Sequence, residues 1–510
     1  MVRGSRRGKG LAGYDVSPIS SSRETTSSRE GLGCFSEGEG SLQAPGGCPP
    51  VATAPVRDLM FVDLDAFYVS VERRKDPSLV GRPVIVTVIG GEERAAVGGE
   101  ERRVIGGEER PVIGGGGGRG VVASASYEAR GYGIHAGMPI GQAATLCPKA
   151  VFLHGDPADY EAASADVMAL LGAFAPKVEP VSLDAAFLDV TGCDRLHAVR
   201  ASARGPAWLD AAERLHHEVR RATGLSVSIG IGGTKAVATV AAALAKPAGA
   251  LEVPRGAEAR FLSGLPVECL PGVGPRTRAA LARFNLHTIG DLARLPEDLL
   301  EETFGRTGVA ISRRSRGLDD DAVVPGRPRP KSISREAAFA TDTVDRTVIG
   351  GMLSHLAQRA TLALRAERLR TQAVVVRLRY ADFLTVEARR RFSTPTDRDH
   401  DVLAVVDALW PKRYDRRVKL RLVGVALVGL SPVELAPGGQ RQLDLFEDLE
   451  LPPDEGGRGD LAAGRLDAAV DRLRSRHGFG AVVKGRAIDR LSHVPPDVRG
   501  FHLRTPARSA

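Results

Sequence analysis

Between residues 57 and 432 the chain moves between two hydrophobic rhythms. In one, apolar residues alternate or run together briefly, as in strands; in the other they return every three or four positions, as in helices. Residues 59–64 form a strand-like run, and 67–73 switch to a helix-compatible pattern. Residues 83–88 and 120–126 read as paired strands, 159–174 has helical spacing, and a strand pair surrounds 182–190. A second long helix at 206–222, a strand at 226–231 and a helix at 234–244 follow.

Setting aside the segment around 83–150, the order is strand, helix, strand, strand, helix, strand. That order predicts an α+β, ferredoxin-like sheet with its first and third strands adjacent at the centre. Each of those two strands lies beside an aspartate: Phe61-Val62-Asp63-Leu64-Asp65-Ala66-Phe67-Tyr68 and Val181-Ser182-Leu183-Asp184-Ala185-Ala186-Phe187-Leu188-Asp189. Such a residue can expose its carboxylate at the sheet's rim while the strand stays buried. A single strand-end aspartate usually caps a turn. Two brought together make a site for a hard cation such as Mg²⁺, suited to phosphoryl chemistry.

The remaining segments have other patterns. Residues 1–56 are rich in Ser, Gly and Arg without a hydrophobic period, and are expected to be disordered. Within 87–119 a Gly-Gly-Glu-Glu-Arg unit recurs three times and ends in Gly114 to Gly118, which predicts a flexible insertion. Leu270-Pro271-Gly272-Val273-Gly274-Pro275, followed by Leu281 and Leu286-His287-Thr288-Ile289-Gly290, has the form of a helix-hairpin-helix whose amides can meet a DNA phosphate. Residues 321–331, rich in Pro and Arg, predict an extended tether. Val374 to Arg379 reads as a strand with Arg377 and Arg379 on one face; Arg389, Arg390 and Arg391 add charge nearby. An amphipathic helix at 461–473 has no assigned role.

Composition sharpens this. With 510 residues and 43% apolar content the chain can hold several packed domains. The net charge of +8, from 70 basic and 62 acidic residues, suits a polyanionic partner. Five scattered cysteines without a C-x-x-C pair argue against a zinc site or disulfide framework and for a reducing compartment. The longest apolar run, 236–245, is too short to span a bilayer, and no signal peptide is apparent. A cytoplasmic, nucleoid-associated monomer with no membrane contact is expected.

The motifs as a set resemble those of the Y-family translesion DNA polymerases, in particular the bacterial DinB or DNA polymerase IV branch. The resemblance rests on Asp63 to Tyr68 with Ser70-Val71-Glu72, then Ser126-Tyr127-Glu128-Ala129-Arg130, Ser182-Leu183-Asp184 and Lys246-Pro247, in the family's order. It implies a right-hand polymerase: palm and small fingers at 57–254, a helix-hairpin-helix thumb at 255–320, the linker at 321–331, a βαββαβ-like little finger at 332–432, and a tail at 433–510. Carried over residue by residue, Asp63, Asp184 and the Leu64 backbone bind two Mg²⁺ ions. Tyr68 is the steric gate against ribonucleotides, and Tyr127, Arg130 and Lys246 contact the dNTP triphosphate. Gly272, Gly274, Arg335, Arg377 and Arg379 meet primer–template DNA. Gln442-Leu443-Asp444-Leu445-Phe446 is similar to the pentapeptide that docks bacterial polymerases on the β sliding clamp, with Gln442, Leu443, Leu445 and Phe446 as its contacts.

Three positions depart from the family pattern. Ala185 replaces the glutamate of Ser-Ile-Asp-Glu-Ala, which weakens one metal site. Ala238 to Ala242 replaces Ala-Lys-Ile-Ala-Ser, and Ala248 replaces an Asp or Asn. The expectation is a translesion polymerase of reduced activity; the alternative is an impaired, polymerase-like adaptor that binds DNA and clamp and recruits other factors.

Overall fold

A computed structural model of the chain describes residues 57–89, 100–105, 108–113, 120–202, 205–326, 329–433, 455–482 and 485. Strand β1 (Leu59–Leu64) enters a turn at Asp65 and Ala66, where Ala66 takes a left-handed φ of 43°, and helix α1 (Phe67–Lys75) follows. The fingers are built from β2 (Val84–Ile89), β3 (Glu100–Ile105), β4 (Glu108–Ile113), β5 (Gly120–Ala125), α2 (Tyr127–Arg130), α3 (Ile140–Leu146) and β6 (Val151–His154). As expected, β2 and β5 pair antiparallel, and β6 joins the other edge of β2 in parallel. Ile85, Val122, Ile134 and Phe152 form this small domain's core.

Part of the repeat insertion has regular structure. Glu100–Ile105 and Glu108–Ile113 are near copies of one six-residue unit and pair antiparallel, so each Glu-Glu end lies in register with the other's Val-Ile end.

The palm continues with α4 (Pro157–Phe174), β7 (Lys177–Pro180), β8 (Ala185–Asp189), a hairpin of β9 (Arg200–Ser202) and β10 (Gly205–Ala207), α5 (Leu209–Thr223), β11 (Val227–Gly232), α6 (Lys235–Ala245) and β12 (Ala250–Glu252). Its sheet runs β12-β11-β1-β8-β7, with β1 antiparallel to both neighbours. The predicted order holds, with β12 as an added edge. Helix α5 starts later than its periodicity suggests because residues 205–207 pair with 200–202. Asp156 caps α4 by accepting from Ala158 N, with Pro157 at the first helical position. Strand alternation sends Met60, Val62 and Leu64 into a core with Leu171, Leu215 and Val219. Leu59, Phe61 and Asp63 therefore lie on the opposite face.

The thumb holds α7 (Glu258–Ser263), α8 (Pro275–Arg283), α9 (Ile289–Ala293), α10 (Glu297–Phe304) and α11 (Arg306–Ser315) around Leu262, Leu270, Leu281, Leu292 and Ile311. Part of the following tether is fixed to the palm's edge. Val324 N donates to Glu179 Oε2 at 2.7 Å, Gly326 N donates to Val178 O at 2.9 Å, and Val323 is buried.

The little finger is β13 (Ser332–Thr343), α12 (Arg346–Ala366), β14 (Leu369–Tyr380), β15 (Thr385–Thr396), α13 (Asp399–Arg413) and β16 (Leu420–Pro432), the βαββαβ order expected. Its sheet runs β13-β16-β14-β15. Val374, Val376 and Leu378 pack with Ile349, Leu353, Val402 and Trp410 of the helices. Helix α14 (Glu455–His477) is longer than its amphipathic stretch suggested, and it docks on this domain. Arg365 of α12 grips Asp471 with Nε at 2.6 Å and Nη2 at 2.8 Å, and reaches Asp399 Oδ1 at 2.9 Å. Arg474 Nη2 donates to Gln358 Oε1 at 2.5 Å, and its guanidinium covers the buried Phe479 ring at 4.2 Å.

Candidate active site

Asp63 is the penultimate residue of β1, and Asp184 immediately precedes β8. The backbone joins them: Leu64 N donates to Asp184 O at 2.8 Å. Ser182 Oγ donates to Asp184 Oδ1 at 2.6 Å, fixing that carboxylate's direction. Lys246, which follows α6, places Nζ 2.7 Å from Asp63 Oδ1. Burial pushes the Asp63 carboxyl above its ordinary range; Lys246 pulls the other way, and Asp184 and Asp65 add to the rise. This carboxylate would gain from further positive charge, as expected of a cation ligand.

Ala185 is the residue of β8 in register with Asp63. Directly opposed residues of antiparallel strands share a face, so the methyl stands where a third carboxylate would join the first. Around it lies an apolar cluster of Leu59, Phe61, Phe187, Ala238, Ala242 and Val323, the last from the tether. Two other carboxylates come near in sequence, and both are engaged. Glu179 Oε2 accepts from Lys235 Nζ at 2.6 Å as well as from Val324 N. Asp65, only 4% exposed, accepts from four donors: Tyr127 Oη at 3.1 Å, Ser228 Oγ at 2.8 Å, Ser226 Oγ at 3.0 Å and Ala248 N at 2.8 Å. Among the described residues no group of three or more His, Cys, Asp or Glu side chains is arranged to hold a metal. Asp63 and Asp184, whose strand ends the Leu64 N to Asp184 O bond joins, offer two oxygen-donor side chains of the kind a hard cation takes.

The residues expected to face the nucleotide are linked to this end of the palm: Tyr68 feels Asp184, and Tyr127 bonds Asp65. Tyr68 leans on Tyr160 with ring centroids 4.5 Å apart, and burial together with Asp184 pushes its phenol up to about 12, so it stays neutral. Ser126 caps α2 by accepting from Ala129 N at 3.2 Å, which sets the direction of the Tyr127–Arg130 turn. The Arg130 guanidinium lies 4.7 Å over the Tyr127 ring while its Nε donates to Ala125 O. Burial and Asp65 raise the Tyr127 phenol to about 12 as well.

Farther out, Gly272 adopts φ 101°, a left-handed value suited to glycine, and the chain then turns into α8 with Gly274 as its cap. On the little finger, Arg379 lies on the sheet face away from the helices together with Arg389 and Arg391, while Arg390, in register with buried Val374, lies on the other. Arg377 shares that face but is ion-paired to both Glu336 and Glu387. Arg335 does not share it: it stands in register with buried Val425, on the helix-covered side. One residue's step along a strand is enough to reverse the side. Gln442, Leu443, Leu445 and Phe446 lie outside the described residues.

Sequence reasoning missed the hub at Asp65. The available signal was Ser226-x-Ser228, two hydroxyls two residues apart, one just before β11 and one within it.

A palm carrying two aspartates on adjacent strands, with fingers, thumb and a βαββαβ domain, is the architecture of a right-hand nucleic-acid polymerase. Residues 62–243 match the impB/mucB/samB family, 330–445 its C-terminal domain, and 268–319 the DNA polymerase-iota thumb domain. The chain is 34% identical over 433 residues to DNA polymerase IV of Dehalococcoides mccartyi strain CBDB1, spanning 84% of this chain and 97% of that one. It is 40% identical over 333 residues to DNA polymerase IV of Methanoculleus marisnigri, 65% and 83% of the two chains. A Y-family chimera of Dbh and Dpo4 shares the fold, with a TM-score of 0.61 at 23% identity over 74% of this chain and 99% of that one. The chain belongs to the impB/mucB/samB family of Y-family DNA polymerases, in its DNA polymerase IV group. Its activity class is accordingly that of a DNA-directed DNA polymerase, a nucleotidyltransferase of translesion synthesis. Polymerases of this family work with divalent metal ions. No helix among the described residues is long and apolar enough to cross a membrane.

Proposed function

We propose that this polymerase adds dNTPs to a primer 3′ end in damage tolerance with two metal-binding carboxylates where the family pattern has three, and that its chemical step is slowed accordingly. The observation that carries the reading is Ala185, opposite Asp63 and among apolar neighbours, while Asp65 and Glu179 are both committed elsewhere. Asp63, Asp184 and the Leu64 backbone hold Mg²⁺, which when bound acidifies the primer hydroxyl and stabilises the leaving phosphate. Arg130 and Lys246, with Tyr127, take the triphosphate. Tyr68, backed by Tyr160, forms the wall that a 2′-hydroxyl would strike. The amides at Gly272 and Gly274 and the open sheet face bearing Arg379, Arg389 and Arg391 bind duplex phosphates without reading sequence. Gln442 to Phe446 docks on the β sliding clamp, its Leu445 and Phe446 filling an apolar pocket.

Primer extension with Mg²⁺ or Mn²⁺ on an undamaged template tests this. The expected result is slow extension by the wild type, none by Asp184→Ala, and a gain of roughly 10²- to 10³-fold in Ala185→Glu, the usual worth of a transition-state electrostatic group. The apolar setting of Ala185 also favours a second reading, a DNA- and clamp-binding adaptor. A wild type that binds DNA but does not extend, with activity appearing only in Ala185→Glu, would replace the first reading by the second.

A further inference from the structure

We propose that Asp65 is a positioning residue that fixes the triphosphate-binding groups of palm and fingers in one geometry before the nucleotide arrives. The proposal rests on the reading of Arg130, Tyr127 and Lys246 as triphosphate ligands.

An ionised carboxylate offers about four lone-pair directions and no proton. At Asp65 four donors from three parts of the chain use them. Ser226, just before β11, and Ser228 within it hold the carboxylate itself, at 3.0 and 2.8 Å. Its backbone is held as well: Asp65 N donates to Ser226 O, and Asp65 O accepts from Ser70 Oγ. From this fixed base it reaches in two directions. One oxygen accepts the Tyr127 hydroxyl from the fingers, and that ring carries the Arg130 guanidinium 4.7 Å above it. The other accepts Ala248 N, two residues beyond Lys246. Ala248 has φ 57°, a conformation a residue with a side chain rarely adopts, so the turn that presents Lys246 is held by this bond rather than by local preference.

Asp65 therefore ties Arg130, through the Tyr127 ring, to Lys246, through the Ala248 amide. With its lone pairs engaged it has none left for a metal, although it lies two residues from Asp63. A pre-set group of this kind lowers the ordering cost of binding and leaves the chemistry to other residues.

The test is the Kd of a correct dNTP for the full-length protein on a primer–template ended by a dideoxynucleotide, measured in Mg²⁺ beside the Kd for DNA. Asp65→Asn keeps the shape but turns an NH₂ toward donors; it is expected to raise the dNTP Kd about tenfold or more while the DNA Kd stays within about twofold. Tyr127→Phe should raise the dNTP Kd several-fold alone and by clearly less in the Asp65→Asn background, because part of the hydroxyl's effect runs through Asp65. Ser228→Ala, a milder change, should raise it in the same direction and covers the case in which Asp65→Asn does not fold. An unchanged dNTP Kd in Asp65→Asn or Ser228→Ala overturns the proposal. So do additive effects of Tyr127→Phe and Asp65→Asn, or a shifted Mg²⁺ midpoint in Asp65→Asn. Arg130→Ala and Lys246→Ala separate the two levels: if they leave the dNTP Kd unchanged, the triphosphate reading itself fails.

Discussion

Asp63 in the palm and Asp399 in the little finger are both carboxylates largely withdrawn from water, and their surroundings are opposite. Asp63 has one cation, Lys246, and two acidic neighbours, and its carboxyl is pushed above its ordinary range. Asp399 is 2% exposed and meets Arg365 at 2.9 Å and Arg474 at 3.7 Å, with the Thr361 hydroxyl also bonded to it. Burial works against the charge of Arg365, but its bonds to Asp471 and the nearness of Asp399 carry its pKa above the usual arginine range. On the reading proposed above, the carboxylate that receives a cation is left short of compensation, whereas the one that holds two elements together is matched within the fold. On that reading the surroundings of Asp63 serve binding, and those of Asp399 serve cohesion.

The comparison can be broken most sharply at the palm. On the proposed reading Asp184→Ala removes one of two metal-binding carboxylates, and it should lower single-turnover extension by about 10³-fold or more while leaving the melting temperature nearly unchanged. Equal loss of folding would mean that the pair serves stability. In the little finger the outcome should be reversed. Arg365→Ala removes the bidentate partner of Asp471 and leaves Asp399 with Arg474 and the Thr361 hydroxyl; it is expected to cost about 3 kcal/mol in urea unfolding of that domain, because a buried pair loses one partner. A loss below about 1 kcal/mol would show that helix α14 is a surface passenger.

Acid should separate the two regions by sign. His355 lies against Phe479 at 5.1 Å, and burial, aided by Arg359 and Arg474, lowers its pKa to about 4. Its neutral form belongs to the folded state, so its contribution is full above about 6.5 and is lost as pH falls from there toward 4, at no more than about 1.4 kcal/mol per pH unit. His355→Leu should flatten that slope in pH-dependent melting. Asp63 runs the other way: its raised pKa means that the fold gains as pH falls from that value toward 3.8. The smallest effect is expected at Ala248, where Asn, which tolerates left-handed backbone better, should raise stability by about 0.5–1 kcal/mol. An unchanged or lower melting temperature in Ala248→Asn would mean that the turn carries no strain.

What could be read from the sequence was what lies close together along it. The Asp63 run, the Tyr127–Arg130 turn and Lys246-Pro247 are contiguous motifs, and the hydrophobic pattern of the palm predicts the order of its strands and helices and the place of Asp63 at a strand end. The Asp65 hub was hidden because its partners lie 161, 163 and 183 residues away at Ser226, Ser228 and Ala248. Helix α14 looked like part of a tail for the same reason: Arg365 and Asp471 are 106 residues apart. Arg335 was carried over from the resemblance as a DNA contact, and a motif match does not show which side of the sheet an alternating strand turns it to. The paired ribbon inside the insertion needed only local matching, but its Gly and Glu content suggested loop.

One position in the little finger turns backbone chemistry into surface charge. Glu336, Gly424, Arg377 and Glu387 stand in a single row across the four strands. A Cβ on Gly424 would come within 2.7 Å of the Glu336 side chain, so the glycine leaves the gap through which Arg377 reaches its second carboxylate. With that gap open, the middle row of the sheet presents two acids against one base, and Arg379, Arg389 and Arg391 lie to its sides. A polyanion approaching this face would meet a charge pattern with an acidic centre, and replacing one hydrogen atom with a methyl group would begin to erase it.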